Sequence, residues 1–285
     1  MSYRLVALMP DVLGEGPLWS ASDDAIYWVD VLAPALNRLS LSDGAVRRWE
    51  MPEPIGFIVQ REDGDGFVVG LKSGLARLQL DPFALSPLSA TVPYPPEHRL
   101  NDGKVDHAGR LWMGSMQMDA ALPTGSLYRV GYDLRIECAD DGYYVPNGPA
   151  ISPASGCLYH ADSPRRVIYR FAMGPDGQLS DRKVFLTFPE AWGVPDGMTV
   201  DSEGHLWVAH WDGGRVSRFS PEGRLIRQIE LPASRITSLT FAGPALDRVF
   251  VTSAALDRDA EPCAGALFEI DAGVSGLPSY GFRVN

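Results

Sequence analysis

A two-strand unit recurs six times along this chain, and this recurrence constrains the fold more than any other feature of the sequence. In each unit a turn precedes a short apolar strand, and a second short strand follows after another turn. The centres of the first strands are Trp28, Val68, Trp112, Tyr159, Trp207 and Phe250, spaced 40, 44, 47, 48 and 43 residues apart. A period of roughly 20–50 residues marks repeat architectures, and roughly 40–45 residues build one four-stranded propeller blade.

The repeats predict an all-β protein, a six-bladed β-propeller with four-stranded blades. A six-fold sandwich-like meander is the alternative, but even spacing along the whole chain favours a closed ring, because closure protects the sheet edges. The last repeat lacks an evident fourth strand, whereas residues 3–9 form an extra strand before the first repeat. We therefore predict that this N-terminal strand completes the last blade. No linker or low-complexity tract divides the chain, which predicts one domain over residues 1–285.

Charge and composition exclude several classes of function. The chain has 25 Lys and Arg against 36 Asp and Glu, a net charge of −11, which disfavours a nucleic-acid partner. No apolar run approaches the ~18 residues of a membrane helix, so no membrane association is expected. The apolar stretch at residues 5–9 is too short for a signal peptide, and three widely spaced cysteines suit a reducing cytoplasm. The sequence does not indicate an oligomeric state.

One repeat phase carries the candidate chemistry. In a propeller the innermost strand of each blade lines the central channel, and in each repeat this strand would precede the one that carries the centre. Residues at equivalent positions in the innermost strands therefore face a common axis. The residue 11 to 13 positions before each centre is, in order, Glu15, Gly56, Asn101, Asn147, Asp196 and Ser238. Asn-Gly and Asp-Gly are ordinary turn formers, so each of them alone says little. Carboxylates and carboxamides at the same phase of four repeats predict side chains that converge on one point.

This set of side chains predicts a site for a hard cation. Carboxylate and carboxamide oxygens, without sulfur or a histidine set, suit Ca²⁺, Mg²⁺ or Mn²⁺. Zn²⁺ more often takes His or Cys ligands, although oxygen ligands with water do not exclude it. The charges of Glu15 and Asp196 would neutralise one dication and leave positions open for water and substrate.

Four segments resemble those of the SMP-30/gluconolactonase family, which includes regucalcin and bacterial sugar lactonases. They are residues 14–19 (GEGPLW), 99–106 (RLNDGKVD), 195–198 (PDGM) and 204–209 (GHLWVA). The resemblance runs from about Glu15 to Ile270. It implies a six-bladed propeller with one divalent cation in the channel.

The resemblance also implies roles for individual residues. It places the metal ligands at Glu15, Asn147 and Asp196 and the substrate-binding residues at Arg99, Asn101 and Asp119. The acidic residue of regucalcin-like members follows a Gly-Thr-Met stretch, which in this chain reads Gly-Ser-Met over residues 114–116. The residues around Asp119 also differ from that pattern, and the loop over residues 252–265 is shorter than in regucalcin.

Together these features predict a metal-dependent hydrolase that opens the ring ester of a sugar lactone such as gluconolactone or xylonolactone. The cation would polarise the carbonyl, and Asp196 would accept a proton from the attacking water. Two alternatives remain open: a propeller hydrolase that cleaves a phosphotriester or aryl ester at the same cation, and a non-catalytic calcium-binding protein. Trp192, Trp211 and Tyr144 lie on predicted loops near the site, where they would form an apolar rim against a sugar ring.

Overall fold

The computed structural model describes residues 3–284, which form 24 β-strands and one 3₁₀ helix, Glu190–Trp192. In chain order the strands are β1 (Tyr3–Ala7), β2 (Gly14–Ser20), β3 (Ala25–Asp30), β4 (Ala35–Ser40), β5 (Val46–Glu50), β6 (Ile55–Gln60), β7 (Phe67–Leu71), β8 (Gly74–Leu80), β9 (Phe83–Pro87), β10 (His98–Val105), β11 (Leu111–Gln117), β12 (Gly125–Val130), β13 (Ile136–Tyr143), β14 (Pro146–Ser152), β15 (Cys157–Asp162), β16 (Val167–Met173), β17 (Leu179–Thr187), β18 (Val194–Val200), β19 (Leu206–Trp211), β20 (Arg215–Phe219), β21 (Leu225–Glu230), β22 (Ile236–Ala242), β23 (Arg248–Ser253) and β24 (Leu267–Asp271). No helix among these residues has the length and apolarity to cross a membrane. The predicted domain bounds, 1–285, include three residues outside the described range.

The strands form six four-stranded antiparallel sheets, which confirms the predicted six-bladed propeller. Blades 1 to 5 are β2–β5, β6–β9, β10–β13, β14–β17 and β18–β21. Blade 6 contains β22, β23 and β24, and its outermost strand is β1, with Tyr3 opposite Ile270 and Leu5 opposite Phe268. The prediction that the N-terminal strand completes the last blade is therefore also confirmed. A single sheet made from both ends of the chain closes the ring.

The apolar core lies between neighbouring blades rather than on the propeller axis. Six clusters of buried side chains occupy the six interfaces between blades, and each cluster draws its residues from two adjacent sheets. The repeated aromatic centres serve these interfaces, since Trp28, Trp112 and Trp207 are at most 1% exposed. This distribution leaves the inner strands free to place polar side chains along the axis.

A buried aspartate fixes the turn between the inner and second strands in two blades. Asp106 accepts a hydrogen bond of 2.8 Å from Nε1 of Trp112, and Asp201 accepts one of the same length from Trp207. The other oxygen of each carboxylate accepts backbone N–H groups of the same turn. The recurring tryptophan and the recurring turn are thus parts of one hydrogen-bonded unit, which sets the register of the strand pair.

The last described residues cross one end of the channel, and we call residues 274–284 the C-terminal strap. Gly276 forms a bridge with Asp201 of blade 5, and Phe282 forms one with Arg61 of blade 2. Both partners directly follow the C-terminal ends of inner strands, so the strap covers the end of the channel remote from Glu15 and Asp196. Phe282 is fully buried.

Candidate functional site

Each inner strand has an irregular register near its N-terminal end, at the repeat phase that the sequence singled out. The shift falls after Glu15 in β2, after Leu100 in β10, after Asn147 in β14 and after Pro195 in β18. Strands β6 and β22 carry the same irregularity. A bulge adds a residue to one strand and re-aims the side chains beside it. The Asn-Gly and Asp-Gly pairs, which the sequence suggested to be turns, are therefore bulges within strands.

The remaining two positions of this phase explain why only four blades contribute long polar side chains. At Gly56 a Cβ atom would lie 2.3 Å from the backbone oxygen of Asn101, so blade 2 packs its backbone there and has no room for a side chain. Ser238 in blade 6 faces Gly197, where a Cβ atom would lie 2.2 Å from the serine Oγ. Close contact between inner strands thus requires glycine at positions 56 and 197.

A chain of hydrogen bonds links the amide side chains of blades 3 and 4. Nδ2 of Asn101 donates to Oδ1 of Asn147 at 2.7 Å and to the carbonyl oxygen of Pro146 at 2.9 Å. Nδ2 of Asn147 donates to Oγ of Ser163 at 2.8 Å, and Ser163 donates to the carbonyl oxygen of Pro195 at 2.7 Å. The amide oxygen of Asn147 is thereby held in a fixed direction. Ser163 lies in the loop after β15, outside the repeated phase, so the sequence pattern does not mark it.

Two carboxylates of this repeat phase, those of the half-buried Glu15 and of Asp196, lie close enough to interact electrostatically. Asp196 is 4% exposed, and its Oδ1 has no hydrogen-bond partner among the described residues. Oε2 of Glu15 accepts a bond of 3.1 Å from the N–H of Gly16. Burial raises the pKa of Glu15 to about 8, with a further contribution from the charge of Asp102. Burial, followed by the charge of Glu15, raises the pKa of Asp196 well above its ordinary value.

The orphaned oxygen and the raised pKa values have one physical cause, a shortage of positive charge around two carboxylates removed from water. A divalent cation would remedy this shortage, and the fixed oxygen of Asn147 adds a neutral ligand. No group of three His, Cys, Asp or Glu suited to a metal occurs within residues 3–284. The two carboxylates and the carboxamide of Asn147 are oxygen donors of the kind that a hard cation takes.

Arg99 lies beside these acidic groups and is 6% exposed. Its Nη1 donates to the carbonyl oxygen of Leu100 at 3.0 Å and to Oδ1 of Asn101 at 2.7 Å. Burial lowers the pKa of Arg99 to about 10, and the charges of Glu15 and Asp196 oppose this effect. Arg99 thus lies within electrostatic reach of both carboxylates, and it orients the amide whose nitrogen holds Asn147.

Two further charged side chains, Asp102 and Lys104, line the channel on the strap side of the site. They face a cavity of about 80 Å³. Burial raises the pKa of Asp102 to about 6, and the charge of Lys104 opposes the rise. Nζ of Lys104 donates to the carbonyl oxygen of Met198 at 3.0 Å. Both residues belong to the quoted RLNDGKVD segment but were not singled out there, and their i, i+2 spacing on an inner strand is the signal that could have found them.

Asp119 lies apart from this hydrogen-bonded group, in the loop between β11 and β12. It is exposed, and its Oδ1 accepts a bond of 3.1 Å from the N–H of Ala121, which closes a local turn. The structure therefore brings Glu15, Arg99, Asn101, Asn147 and Asp196 into one network of hydrogen bonds and charges, and it places Asp119 on a loop with contacts of its own.

The three aromatic residues of the predicted rim each pack against neighbouring side chains. Trp192 packs into the apolar cluster between blades 4 and 5, with its ring centre 5.4 Å from that of Phe188. Arg235 lies over Trp211 at 4.5 Å, and Arg165 lies over Tyr144 at 5.0 Å. These contacts account for the rings without a ligand, and Trp192 is half-buried against the cluster.

Comparisons with known proteins cover nearly the whole chain. The sequence profile of the family described as SMP-30/Gluconolactonase/LRE-like region matches residues 13–255. A 6-deoxy-6-sulfogluconolactonase of Pseudomonas putida is 38% identical over 282 residues, 96% of each chain. A pentonolactonase of Haloferax volcanii is 33% identical over 278 residues, 94% of each chain. The crystal structure of the calcium-binding protein regucalcin from Agrobacterium tumefaciens is similar with a TM-score of 0.92 and 28% identity, over 99% of this chain and 97% of that one.

Proposed function

Because this chain belongs to the SMP-30/gluconolactonase/LRE-like family, we propose that it is a metal-dependent lactonase, which opens the ring ester of a sugar lactone such as gluconolactone or xylonolactone. Two relatives named as sugar lactonases align over at least 94% of their length, which supports the reaction class. The observation that carries the metal dependence is the unpartnered Oδ1 of Asp196, buried opposite the carboxylate of Glu15.

Glu15, Asn147 and Asp196 would hold one divalent cation, Ca²⁺, Mg²⁺, Mn²⁺ or Zn²⁺. When bound, such a cation supplies a Lewis acid for the lactone carbonyl and lowers the pKa of a water molecule. Two carboxylates balance its charge, and the oxygen of Asn147 adds a dipole without further charge. The hydrogen bonds from Asn101 and to Ser163 hold that oxygen in place before the cation arrives.

Asp196 is the proposed proton acceptor for the attacking water. Its Oδ1 has a free lone pair, and a general base must lie within hydrogen-bond reach of the proton that it takes. Arg99 is held by Leu100 and Asn101 through one terminal nitrogen, which leaves further N–H donors for substrate oxygens. Both Nδ2 hydrogens of Asn101 are engaged, so it would contact substrate through Oδ1 and otherwise orient Asn147. The resemblance alone assigns Asp119 to substrate binding.

The expected partner is a small neutral or acidic sugar lactone. Nucleic acid is not an expected partner, because a net charge of −11 disfavours its binding. All three cysteines, Cys138, Cys157 and Cys263, are free thiols. Free thiols persist in reducing compartments, which supports a cytoplasmic location.

The test is a panel of aldonolactones, including a 6-sulfonated gluconolactone, assayed after metal stripping and readdition of each cation. Spontaneous ring opening is subtracted with protein-free blanks. We expect turnover only with cation, and a loss of ~10²-fold or more in Asp196→Ala. Asp63→Ala, which removes an exposed turn carboxylate, is the matched control and should keep wild-type turnover.

Wild-type turnover by a folded Asp196→Ala protein would refute the role of Asp196. Turnover that survives EDTA would refute the metal dependence. Hydrolysis of aryl esters or phosphotriesters in preference to every lactone would favour the alternative hydrolase. Cation binding without turnover of any member of the panel would identify a non-catalytic calcium-binding protein.

A further inference from the structure

Lys104 is a charged side chain inside the channel that the proposed reaction does not use. It lies on β10 in blade 3, and its ammonium group bonds to the carbonyl oxygen of Met198 in blade 5. The side chain therefore reaches past blade 4 across the axis. Met198 lies two residues after Asp196 on β18, so this bond fixes a positive charge close to the proposed cation site.

Asp102 precedes Lys104 by two residues on β10 and lines the same cavity. Burial lowers the pKa of Lys104 and raises that of Asp102 to about 6, and the charge of each residue opposes the shift of the other. The charge of Asp102 also acts on both Glu15 and Asp196. Without a counterion, Asp102 would be a third carboxylate beside the two proposed ligands. Salt screens partly buried charges less than exposed ones, so that third charge would act on a bound cation.

We propose that Lys104 is a positioning residue that neutralises Asp102 in the channel and thereby keeps divalent-cation binding at Glu15, Asn147 and Asp196 moderate. The affinity of oxygen sites for Ca²⁺ rises with the number of charged ligands, and Lys104 offsets one of them. The inference rests on the proposed function, because it concerns the same cation site. It deepens that function by assigning a role to a residue that touches neither cation nor substrate.

This arrangement has a consequence for catalysis. A cation with two effective negative charges around it polarises the lactone carbonyl more strongly than a cation with three. Removal of the ammonium group should therefore strengthen Ca²⁺ binding and slow turnover at saturating Ca²⁺. A purely structural role for Lys104 would weaken both together.

The test is calorimetric titration of metal-stripped protein with Ca²⁺ alone. Lys104→Met keeps the length of the side chain and removes its charge, and we expect a Kd lower by about tenfold or more. Lys183→Met is the matched control, because it removes the same charge from an exposed lysine on β17, and its Kd should stay within about twofold of wild type. Asp102→Asn should raise the Kd, and the double variant at 102 and 104 should return close to wild type.

The outcomes separate this inference from the proposed function. If the wild-type protein does not bind Ca²⁺, the cation site itself fails and the inference fails with it. If the wild type binds but a folded Lys104→Met protein binds no more tightly, the inference alone is overturned. If Lys104→Met does not fold, Asp102→Asn decides, since an unchanged Kd there means that Asp102 carries no charge to be offset.

Discussion

Replacement of Glu15 by Gln should stabilise the metal-free protein at alkaline pH, although it removes a proposed ligand. The carboxylate of Glu15 is buried opposite Asp196 and close to Asp102, with one backbone N–H as its hydrogen-bond donor. Without a cation, ionisation of Glu15 adds a negative charge next to the carboxylate of Asp196, in a place where water solvates neither charge well. Gln fills nearly the same volume and carries no charge, so the folded variant does not bear the free-energy cost of that charge.

The magnitude follows from the pKa of Glu15, which is raised from 4.5 to about 8. A group whose pKa is higher in the folded than in the unfolded state contributes stability below pH 4.5 and loses it as the pH rises through about 8. Each unit of pKa difference corresponds to about 1.36 kcal/mol. Between pH 4.5 and pH 8.5 the free energy of unfolding of the wild type should therefore fall by about 3–5 kcal/mol relative to that of Glu15→Gln.

Urea denaturation in the presence of a chelator, at several pH values over this range, measures the difference. Glu62→Gln is the control, because Glu62 is exposed and bonded to Arg283, which lowers its pKa. Its contribution has the opposite sign and is lost as the pH falls. Saturating Ca²⁺ should reverse the order, since a ligand stabilises only the protein that binds it.

Parallel stability curves for the wild type and Glu15→Gln in chelator would refute the reasoning. They would mean that the carboxylate of Glu15 is solvated or compensated in the folded protein, and that no shortage of positive charge exists at the site. A stabilising effect of Ca²⁺ that persists in Glu15→Gln would separately refute its role as a ligand.

Three further substitutions test the fold around the site. Gly56→Ala places a Cβ 2.3 Å from the backbone oxygen of Asn101, so it should cost about 2–3 kcal/mol in urea denaturation and lower lactone turnover; unchanged turnover would contradict this. Asp106→Ala leaves the indole N–H of Trp112 without its partner and should cost about 3–5 kcal/mol in the same assay, with a smaller loss in the Asn variant. Phe282→Ala empties a fully buried position of the strap and should cost about 3–5 kcal/mol, whereas a loss below ~1 kcal/mol would show that the strap is not packed in solution.

The repeat spacing was enough to predict the blades, because each blade buries a large apolar side chain, aromatic in all but blade 2, at the equivalent position between two sheets. The missing fourth strand of the last repeat was enough to predict the role of β1. The same repeat phase singled out Glu15, Asn101, Asn147 and Asp196, and the resemblance to the family assigned three of them, Glu15, Asn147 and Asp196, to a cation. Their metal-binding role stays a prediction. The structure adds the hydrogen bonds and buried charges that support it.

Other features could not be predicted because no periodic signal marks them. Asn147-Gly148 has the composition of a turn, and only the pairing of β14 with β15 makes it a bulge. Ser163 and the strap act through contacts between separate segments of the chain, which a local pattern does not record. Trp192 packs against an apolar cluster whose members come from two blades, a contact that the local sequence of its loop does not record. Its place in an apolar rim at the mouth stays a prediction.

The construction of blade 6 has a consequence for biosynthesis. Strand β1 leaves the ribosome first, but its partner β24 is about 265 residues further along the polypeptide. A nascent chain can stack its early sheets in order, yet β1 has no partner until β24 has been translated. Until then blade 6 lacks its outermost strand, and the last blade is completed only after almost the whole chain has been synthesised.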